Sequence, residues 1–400
     1  MKYVIDIQDL WPEAFCIRIK NKLFQKMLYP LVRYANSIYR GADGVVAVSE
    51  TYMKRVAQVN HSADLRLSVF LGKDLALFDK YRKENAFQRN DNELWIAYIG
   101  SLSHSYDLPT VINALALLYQ RQGDGLPPVR LIVMGDGQLR PQYEAYARAH
   151  GIAAEFTGML PYPQMVGRLC ACDICVNPII KSNRGSIINK VSDYALSGLP
   201  VVNSQNCNEY RQMIESYGCG INCECENSEE MADAIGKLVA DANLRRTMGA
   251  NSRRMGEECF DRRSIYPKIV DALVGYGAKK VMIVANFHPT LNGTTEGRFT
   301  YLAQMLHERG FDVELVVSDF EHRKRKRRES LSNPYPFKLT YLHEPGYSNI
   351  VSVRRIWSHY VWGCNVGKYL KSCKDKPDVV YVSVPSLTAA RKVASICKHK

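Results

Sequence analysis

Short apolar runs alternate with amphipathic segments over residues 94–200, and this alternation constrains the fold more than any other feature of the sequence. The runs LWIAYIG and VRLIVMG have the length and composition of buried strands. Between them, Val111, Leu115 and Leu118 recur at the spacing of one helix face. Strands that alternate with helices form βαβ units around a parallel sheet. The sequence therefore predicts an α/β fold with a doubly wound domain in the middle of the chain.

A second alternating pattern begins at residue 278, two-thirds of the way along the chain. KKVMIVANF is typical of a buried strand, and a glycine-containing turn and an amphipathic helix follow it. The last segment, TAARKVASICKHK, should lead into another strand, and the opening residues KYVIDIQDLWPE have the pattern of that strand. Because chain ends of compact domains lie at the surface and often close together, we infer a circularly permuted domain. Two independent half-domains are the alternative.

The predicted organisation is two Rossmann-like domains. Residues 278–400 and 1–80 together form the permuted, discontinuous domain, and residues 81–262 form the second domain. Residues 263–277 form a terminal helix and junction. Within the second domain, Asn227 and Glu230 have the spacing of a capping box for a late helix.

The net charge indicates which partners the protein is expected to bind, and the cysteine content indicates in which cellular compartment it is expected. Fifty-three Lys and Arg against 40 Asp and Glu give a net charge of +13, which favours partners that carry phosphate. No stretch has the ~18–20 apolar residues of a membrane span, and the first residues carry acids where a signal peptide is apolar. We therefore expect a cytoplasmic protein with reduced thiols. The cysteine clusters lack the paired spacing of a zinc ribbon, so we expect no metal.

The segment KSNRGSIINKVSDYALSG combines groups that bind phosphate. Asn189 is predicted to cap a helix whose first amides and dipole favour an anion, next to a Gly185–Ser186 turn. Asp193 follows Lys190 by three residues, on the same helix face, and its carboxylate is suited to accept hydrogen bonds from a ribose diol. The alternative for Lys190 and Asp193 is an exposed helical ion pair. The cations near this helix start are Lys181, Arg184 and Lys190.

Six motifs, read in the order 278–400 and then 1–277, resemble glycosyltransferase family 4 over nearly the whole chain. They are VMIVANFHPTLNGTTEGRFTYLAQMLHERGFDVELVVS at 281–318, DLWPE at 9–13, ADGVVAVSE at 42–50, YIGSL at 98–102, VMGDGQL at 133–139 and NKVSDYALSGLPVVNS at 189–204. The DLWPE box is similar to the branch that builds bacterial capsule and lipopolysaccharide chains.

This resemblance implies the GT-B architecture, in which two Rossmann-like domains face each other across a cleft. It implies retaining transfer of a hexosyl or N-acetylhexosaminyl group from a nucleotide sugar, with UDP expected, to a saccharide or lipid-linked acceptor, without cofactor or metal. The permuted domain would bind the acceptor and residues 81–262 the donor. Two alternatives are a nucleotide-sugar 2-epimerase on the same fold and a non-catalytic basic module that binds a membrane or nucleic acid.

The sequence departs from the family's pattern in the donor domain. The first Glu of the E-x7-E motif falls at Gly185, whereas Asp193 stands where the family's ribose-binding Glu sits. Ser101 and Tyr106 stand where many relatives carry a phosphate-binding Arg and Lys, so Arg184 and Lys190 are the expected cations. Backbone amides of residues 100–102 are expected to face phosphate. The expected donor-binding residues are Gly100, Ser101, Gly135, Arg184, Gly185, Ser186, Lys190 and Asp193.

The permuted domain carries the expected acceptor contacts. Asp9 follows a predicted parallel strand, at the carboxyl edge where open α/β sheets bind ligands, and is a candidate for contacting the acceptor hydroxyl or acting as a general base. His288 is a second catalytic candidate, with a hydrogen-bonded loop residue as the alternative, and Lys190 is the third. A small-residue loop before Arg298 is expected to bring amides to phosphate. The acceptor and phosphate-loop residues are Glu13, Asn292, Gly293, Glu296 and Gly297.

The run HRKRKRR at 322–328 suggests a further partner. Consecutive basic residues suit an anionic membrane face or a lipid diphosphate, at about 1 kcal/mol per residue near the surface. A solvated loop and a nucleic-acid contact are the alternatives, and we expect no nucleic acid. Trp357, Tyr360 and Trp362 add aromatic side chains to the same domain, which is consistent with an interfacial surface and equally with ordinary packing. The prediction is peripheral contact with the inner face of the cell membrane.

Overall fold

The computed structural model describes the chain except residues 11–27, 90–91, 123–126, 182–186, 289–290, 292, 294–296, 350–351, 385 and 399–400. The chain divides into two compact units. Unit 1 combines residues 1–71 with residues 266–400, and unit 2 is residues 72–265. Unit 1 is therefore discontinuous in sequence.

Strands and helices alternate along both units. The described strands are β1 (Lys2–Ile7), β2 (Gly44–Ala47), β3 (Leu65–Ser68), β4 (Leu94–Ile99), β5 (Val129–Met134), β6 (Ala154–Gly158), β7 (Ile174–Asn177), β8 (Val201–Asn203), β9 (Gly220–Asn222), β10 (Lys280–Ala285), β11 (Asp312–Ser318), β12 (Phe320–Glu321), β13 (Lys326–Arg327), β14 (Lys338–Leu342) and β15 (Val379–Val384). The described helices are α1 (Tyr29–Tyr39), α2 (Glu50–Ala57), α3 (Leu75–Glu84), α4 (Leu108–Gln122), α5 (Arg140–Ala149), α6 (Tyr162–Cys170), α7 (Lys190–Ser197), α8 (Asn208–Tyr217), α9 (Ser228–Ala240), α10 (Ala242–Met255), α11 (Arg262–Ile265), α12 (Pro267–Gly275), α13 (Arg298–Glu308), α14 (Val353–Ser372) and α15 (Leu387–Lys398).

Unit 1 contains a seven-stranded parallel sheet in the order β14-β11-β10-β15-β1-β2-β3. The central pair joins distant parts of the chain, because β1 runs alongside β15 from Lys2 opposite Val379 to Ile7 opposite Val384. Numbered from β10 onward, the spatial order is 3-2-1-4-5-6-7, which extends the doubly wound order 3-2-1-4-5-6 by one strand. The two segments share one sheet, so the alternative of two independent half-domains is wrong.

Unit 2 contains a six-stranded parallel sheet in the order β6-β5-β4-β7-β8-β9. Numbered along the chain, this order is again 3-2-1-4-5-6. Asn227 caps α9, since its Oδ1 accepts from the Glu230 amide at 3.1 Å. The predicted capping box is formed only in part, because the Glu230 carboxylate accepts from the side-chain Nδ2 of Asn227 at 2.8 Å, whereas a full box uses the backbone N–H of the cap residue. The expected α/β fold with two Rossmann-like domains is confirmed.

The unit boundaries differ from those inferred from sequence. The structure divides the chain after residues 71 and 265, whereas the sequence placed the divisions after residues 80 and 262. Helix α3 belongs to unit 2 because Phe78 packs there with Val166 and Leu196. Helix α12, expected in the 263–277 junction, belongs to unit 1 and contacts β3 and α13.

A buried ion pair links the two sequence segments of unit 1. The Arg298 guanidinium, at the first residue of α13, donates to both Asp6 carboxylate oxygens, at 2.8 and 3.3 Å. The Tyr381 hydroxyl of β15 donates to the same carboxylate at 2.8 Å. The side chains of Asp6 and Arg298 are 0% and 5% exposed. The pair therefore joins a residue of β1 to residues of α13 and β15 inside the core.

Helix α14 has one buried face and one exposed face. Trp362 is fully buried in the unit 1 core, so of the two alternatives for this residue ordinary packing is confirmed. Trp357 and Tyr360 are more than half exposed, together with Val353 and Ile356. Within the described ranges, no helix combines the length and apolar character needed to cross a bilayer.

Candidate functional site

Two glycine-containing loops meet at the carboxyl edge of the unit 2 sheet. An ideal Cβ on Gly135, just after β5, would lie 1.7 Å from the Gly100 carbonyl oxygen, just after β4. A Cβ on Gly137 would lie 2.2 Å from the Leu102 carbonyl oxygen. No side chain fits in either space, so these glycines allow two backbones to approach closely. The contact fixes the shape of the edge at which α/β sheets bind ligands.

This close approach corrects one expectation about backbone amides. The Gly100 amide donates to Met134 O at 3.0 Å, and the Leu102 amide donates to Asp136 O at 2.9 Å. Both donors are therefore used by the β5 loop and do not face a phosphate. Of the three predicted amides, only that of Ser101 lacks a backbone partner within the described part of the chain. The motif at 98–102 could not predict this, because the hydrogen-bond acceptors belong to the end of β5 and the loop after it.

Lys190 is the central charged group of this edge. It is the first residue of α7, it is 8% exposed, and its Nζ has no hydrogen-bond partner among the described residues. The ammonium lies 4.1 Å from the Tyr98 ring centroid and 4.3 Å from that of Tyr106. An ideal Cβ on Gly100 would lie 3.6 Å from Nζ. Burial lowers the pKa of Lys190 well below its usual value, because the charged form is desolvated.

A buried ammonium in this environment favours the binding of an anion. Cation–π contacts of this kind contribute about 0.5–2 kcal/mol each, less than full hydration of an ammonium. The start of α7 adds its positive dipole end and unsatisfied amides at the same place. The N-cap prediction for Asn189 is wrong, however, because its backbone is already helical (φ −55°, ψ −33°) and its side chain makes no capping hydrogen bond.

Asp193 makes different contacts from those expected. Its Oδ1 accepts from the Tyr162 hydroxyl at 2.7 Å, and its Oδ2 lies 3.2 Å from Lys73 Nζ. Asp193 is 5% exposed, so the alternative of an exposed Lys190–Asp193 ion pair is wrong. The ribose-binding role stays a prediction, and a ribose diol would have to share or displace these two partners.

Several predicted site residues lie outside the described residues. In the donor group these are Arg184, Gly185 and Ser186, and in the acceptor group Glu13, Asn292 and Glu296. Their roles stay predictions.

A buried amide ladder at the same edge of unit 2 was missed by the sequence reasoning. Asn177, Asn203 and Asn222 are the last residues of β7, β8 and β9 and stand opposite one another. Asn177 Nδ2 donates to Asn203 Oδ1 at 2.9 Å, and Asn203 Nδ2 donates to Asn222 Oδ1 at 2.9 Å. The sequence does indicate the ladder, because the three strand segments CVN, VVN and GIN each end in Asn. The ladder ties the ends of three strands together beneath their loops.

In unit 1, the acceptor candidates lie after β1 and β10. Asp9 lies two residues beyond β1. The residue as a whole is exposed, but its carboxyl group is partly desolvated, and this raises the pKa of the carboxyl. His288 is 3% exposed, and its ring would lie 3.0 Å from a Cβ on Gly297, so this position holds glycine at the start of α13. Gly293 has φ +84°, a conformation that favours glycine. Both catalytic roles stay predictions.

The basic run at 322–328 contains the turn and the second strand of the antiparallel β12–β13 hairpin, and residues 323–327 are exposed, as the alternative of a solvated loop expects. Three of its cations pair with carboxylates: Lys324 with Glu321, Lys326 with Glu329, and Arg327 with Asp319. Arg325 and Arg328 donate to backbone carbonyl oxygens and keep their charge. Exposed pairs of this kind are worth little individually, but they reduce the positive charge available to a membrane or a phosphate.

His322, at the start of this run, belongs to a different group. Its Nε2 lies 3.2 Å from Glu344 Oε2, and His359 Nδ1 lies 3.0 Å from Glu344 Oε1. Asn286 completes the group, with Oδ1 2.8 Å from His322 Nε2. Sequence reasoning missed the group because its members come from four separate segments and share no local spacing.

Comparison with known proteins identifies the type of domain in unit 2. Residues 93–241 match the family described as glycosyl transferases group 1. The chain is 23% identical over 239 residues to alpha-D-kanosaminyltransferase of Streptomyces kanamyceticus, covering 58% of this chain and 60% of that protein. It is also 23% identical over 251 residues to an uncharacterized glycosyltransferase of Methanocaldococcus jannaschii, covering 59% and 60%.

Among solved structures, the chain is similar to Anabaena Alr3699/HepE in complex with UDP-glucose, with a TM-score of 0.45 and 20% identity over 58% of this chain and 64% of that chain. The family match covers less than half of the chain, and the chain spans about 60% of the length of the curated relatives. At the level of the unit 2 domain, the predicted resemblance to a glycosyltransferase is confirmed.

Proposed function

We propose that the chain is a retaining glycosyltransferase of family 4 that moves a hexosyl or N-acetylhexosaminyl group from a nucleoside-diphosphate sugar, UDP being the proposed nucleotide. The acceptor is a saccharide or lipid-linked saccharide in surface polysaccharide synthesis, of the capsule and lipopolysaccharide type. The observation that carries the proposal is the buried ammonium of Lys190 at the start of α7, which has no hydrogen-bond partner among the residues that the structure describes. The family match over residues 93–241 supports the same reaction class.

The chemistry requires a group that stabilises charge on the leaving diphosphate. The bond from the anomeric carbon to the phosphate oxygen breaks, and its electron pair goes to that oxygen. The acceptor oxygen forms the new bond on the same face, and its proton passes to the leaving phosphate. Lys190 would donate a charge-assisted hydrogen bond to the diphosphate, with the α7 amides and the Ser101 amide as neutral donors. No metal is assigned to this step.

Unit 1 is the proposed acceptor domain, and we propose that it was derived by circular permutation. The continuous strand order read from β10 supports this proposal, because β1 supplies the strand expected after β15. Asp9 and His288 are the proposed acceptor contacts. Peripheral contact with an anionic membrane is supported by the exposed apolar residues of α14, which are Val353, Ile356, Trp357 and Tyr360. The partnered cations of 322–328 contribute less to this contact than the sequence suggested.

The test of the donor site is thermal unfolding with UDP, GDP, ADP and CMP, without added metal. A ligand at 100 times its Kd stabilises the folded state by about 2.7 kcal/mol, or about 5–11 °C for a unit of this size. We expect a selective shift with UDP that Lys190→Met removes. Lys237→Met is the matched control, since Lys237 is an exposed lysine of the same unit. A shift that survives in Lys190→Met would refute the assigned role of Lys190.

Product analysis separates the competing functions. Transfer requires an acceptor and gives a glycoside with the donor's anomeric configuration. A change in the nucleotide sugar without any acceptor would instead identify a 2-epimerase. No nucleotide-dependent shift at all, together with binding to anionic vesicles, would favour the non-catalytic binding module.

A further inference from the structure

We propose that His322, Glu344 and His359 of unit 1, with Asn286 as a fourth ligand, form a binding site for a divalent transition-metal ion of the zinc class. These residues belong to unit 1, whereas Lys190 belongs to unit 2, and the proposal does not depend on the proposed glycosyl transfer.

The fold delivers these side chains to one edge of a sheet. Asn286 directly follows β10, His322 directly follows β12, and Glu344 lies two residues beyond β14. His359 comes from α14. Carboxyl ends of parallel strands are where α/β sheets bind ligands, and side chains held on strand ends and a helix are well fixed.

The distances suit a small cation. His322 Nε2, His359 Nδ1 and a Glu344 oxygen all lie within 4.8 Å of one another. The two His–Glu344 contacts are 3.2 and 3.0 Å, and Asn286 Oδ1 is 2.8 Å from His322 Nε2. A tetrahedral ion with bonds of about 2.0–2.1 Å to N and O holds its ligand atoms about 3.3 Å apart. Small adjustments therefore bring the donor atoms to bonding distance.

Without a metal ion, the available hydrogen-bond donors do not satisfy all the buried acceptor atoms of this group. Glu344 is fully buried, and its Oε1 accepts from the Ser358 hydroxyl at 2.8 Å, whereas no described residue gives Oε2 a well-aligned hydrogen bond. The single His322 Nε2 faces two acceptors, Asn286 Oδ1 and Glu344 Oε2. A single N–H cannot satisfy both oxygens, and a poorly satisfied buried acceptor is costly. A single cation that binds one lone pair from each of the four side chains would remove this imbalance between donors and acceptors.

The surroundings support the ligands. The Tyr347 hydroxyl lies 3.0 Å from His322 Nδ1, where it would accept the proton that metal binding places there. The ring of Phe287 lies 4.5 Å from the His322 ring and limits the access of water. Arg355 opposes binding, since its Nε lies 3.1 Å from His359 Nε2, which carries a proton when Nδ1 binds metal. Arg355 is partly exposed, and metal binding would require its guanidinium to turn away from His359 Nε2.

The experiment titrates the EDTA-treated, dialysed full chain with Co²⁺ and follows the visible d–d absorption. We expect one equivalent bound with the intense bands of tetrahedral N/O coordination, and displacement by one equivalent of Zn²⁺. In Glu344→Gln and His322→Gln, Co²⁺ affinity should fall at least about tenfold, as for losses around metal sites generally. His343→Gln is the control, because His343 is an exposed neighbour that pairs with Asp319.

Two results would overturn the proposal. The first is no Co²⁺ binding by the wild-type chain, which needs no variant to interpret. The second is a thiolate-to-cobalt charge-transfer band, which would assign the ion to cysteines. Thermal unfolding gives a further readout, since Zn²⁺ should raise the midpoint of the wild type and of His343→Gln but not of the ligand variants. Arg355→Gln should bind Co²⁺ at least as tightly as the wild type, and weaker binding would contradict the assigned geometry.

Discussion

The Asp6–Arg298 pair provides a sharp test of how the two segments of unit 1 are held together. Arg298→Met would leave the Asp6 carboxylate fully buried, with the Tyr381 hydroxyl as its remaining side-chain donor among the described residues. Removing one partner of a buried ion pair costs about 3–5 kcal/mol. For a unit of about 200 residues, this loss lowers the unfolding midpoint by about 6–20 °C.

The second half of the test is the double variant Asp6→Leu/Arg298→Met. Replacing a buried pair with apolar residues of similar volume is often neutral or stabilising, so the double variant should recover most of the loss. If the two sites were independent, the two single losses would add to about 6–10 kcal/mol. The difference between these outcomes far exceeds the error of a stability measurement.

Hydrogen exchange measured by mass spectrometry is the assay, because a protein with two units need not unfold in one step. Peptides from β1 and β15 should lose protection in Arg298→Met, while peptides from β4 in unit 2 keep theirs. Calorimetry on the same variants gives the midpoint. Additive losses in the double variant, or unchanged protection of β1 and β15 in Arg298→Met, would refute the role assigned to the pair.

Three further predictions concern unit 2. Gly135→Ala should destabilise the unit and weaken UDP binding, because the new Cβ meets the Gly100 carbonyl; the unfolding midpoint with and without UDP checks this. Burial lowers the pKa of Lys190, so between that lowered pKa and 10.5 the unfolded chain holds more protons and the free energy of unfolding should rise with pH. Urea titrations across this range should show the rise in the wild type and a smaller one in Lys190→Met. Desolvation raises the pKa of Cys170 to about 11, so iodoacetamide at pH 8 should leave it unmodified in the folded chain.

Periodicity predicted the fold well because it reports directly on burial. The runs that became β1, β4, β5 and β10 are short and predominantly apolar, as is typical of parallel strands that are buried on both faces. The same reasoning misplaced the boundary near residue 80, because α3 is amphipathic whichever unit it joins. Only the contact of Phe78 with Val166 and Leu196 decides the matter, and that contact is made in three dimensions.

The candidate sites were predicted less completely, because their geometry depends on backbone angles and on distant partners. Asn189 has the residue type of a cap but not the extended backbone that capping requires. The Gly100 amide belongs to the right motif but is used by Met134 in the adjoining loop. The His322 group joins segments that are far apart in sequence. Local spacing carries no information about any of these three features.

The departure at Tyr106 and the environment of Lys190 have one physical explanation. The resemblance to family 4 implies a cation on the loop after β4, but this chain has the ring of Tyr106 there, and that ring together with Tyr98 contacts the ammonium of Lys190 from α7. Two ring faces stabilise a cation without neutralising it, whereas a carboxylate would compete with the phosphate. Lys190 therefore supplies a cation at this edge although position 106 does not. This weakens the case for a binding module without catalysis, which rested on the missing cations, and it predicts that aromatic character at Tyr106 matters to donor binding more than its hydroxyl.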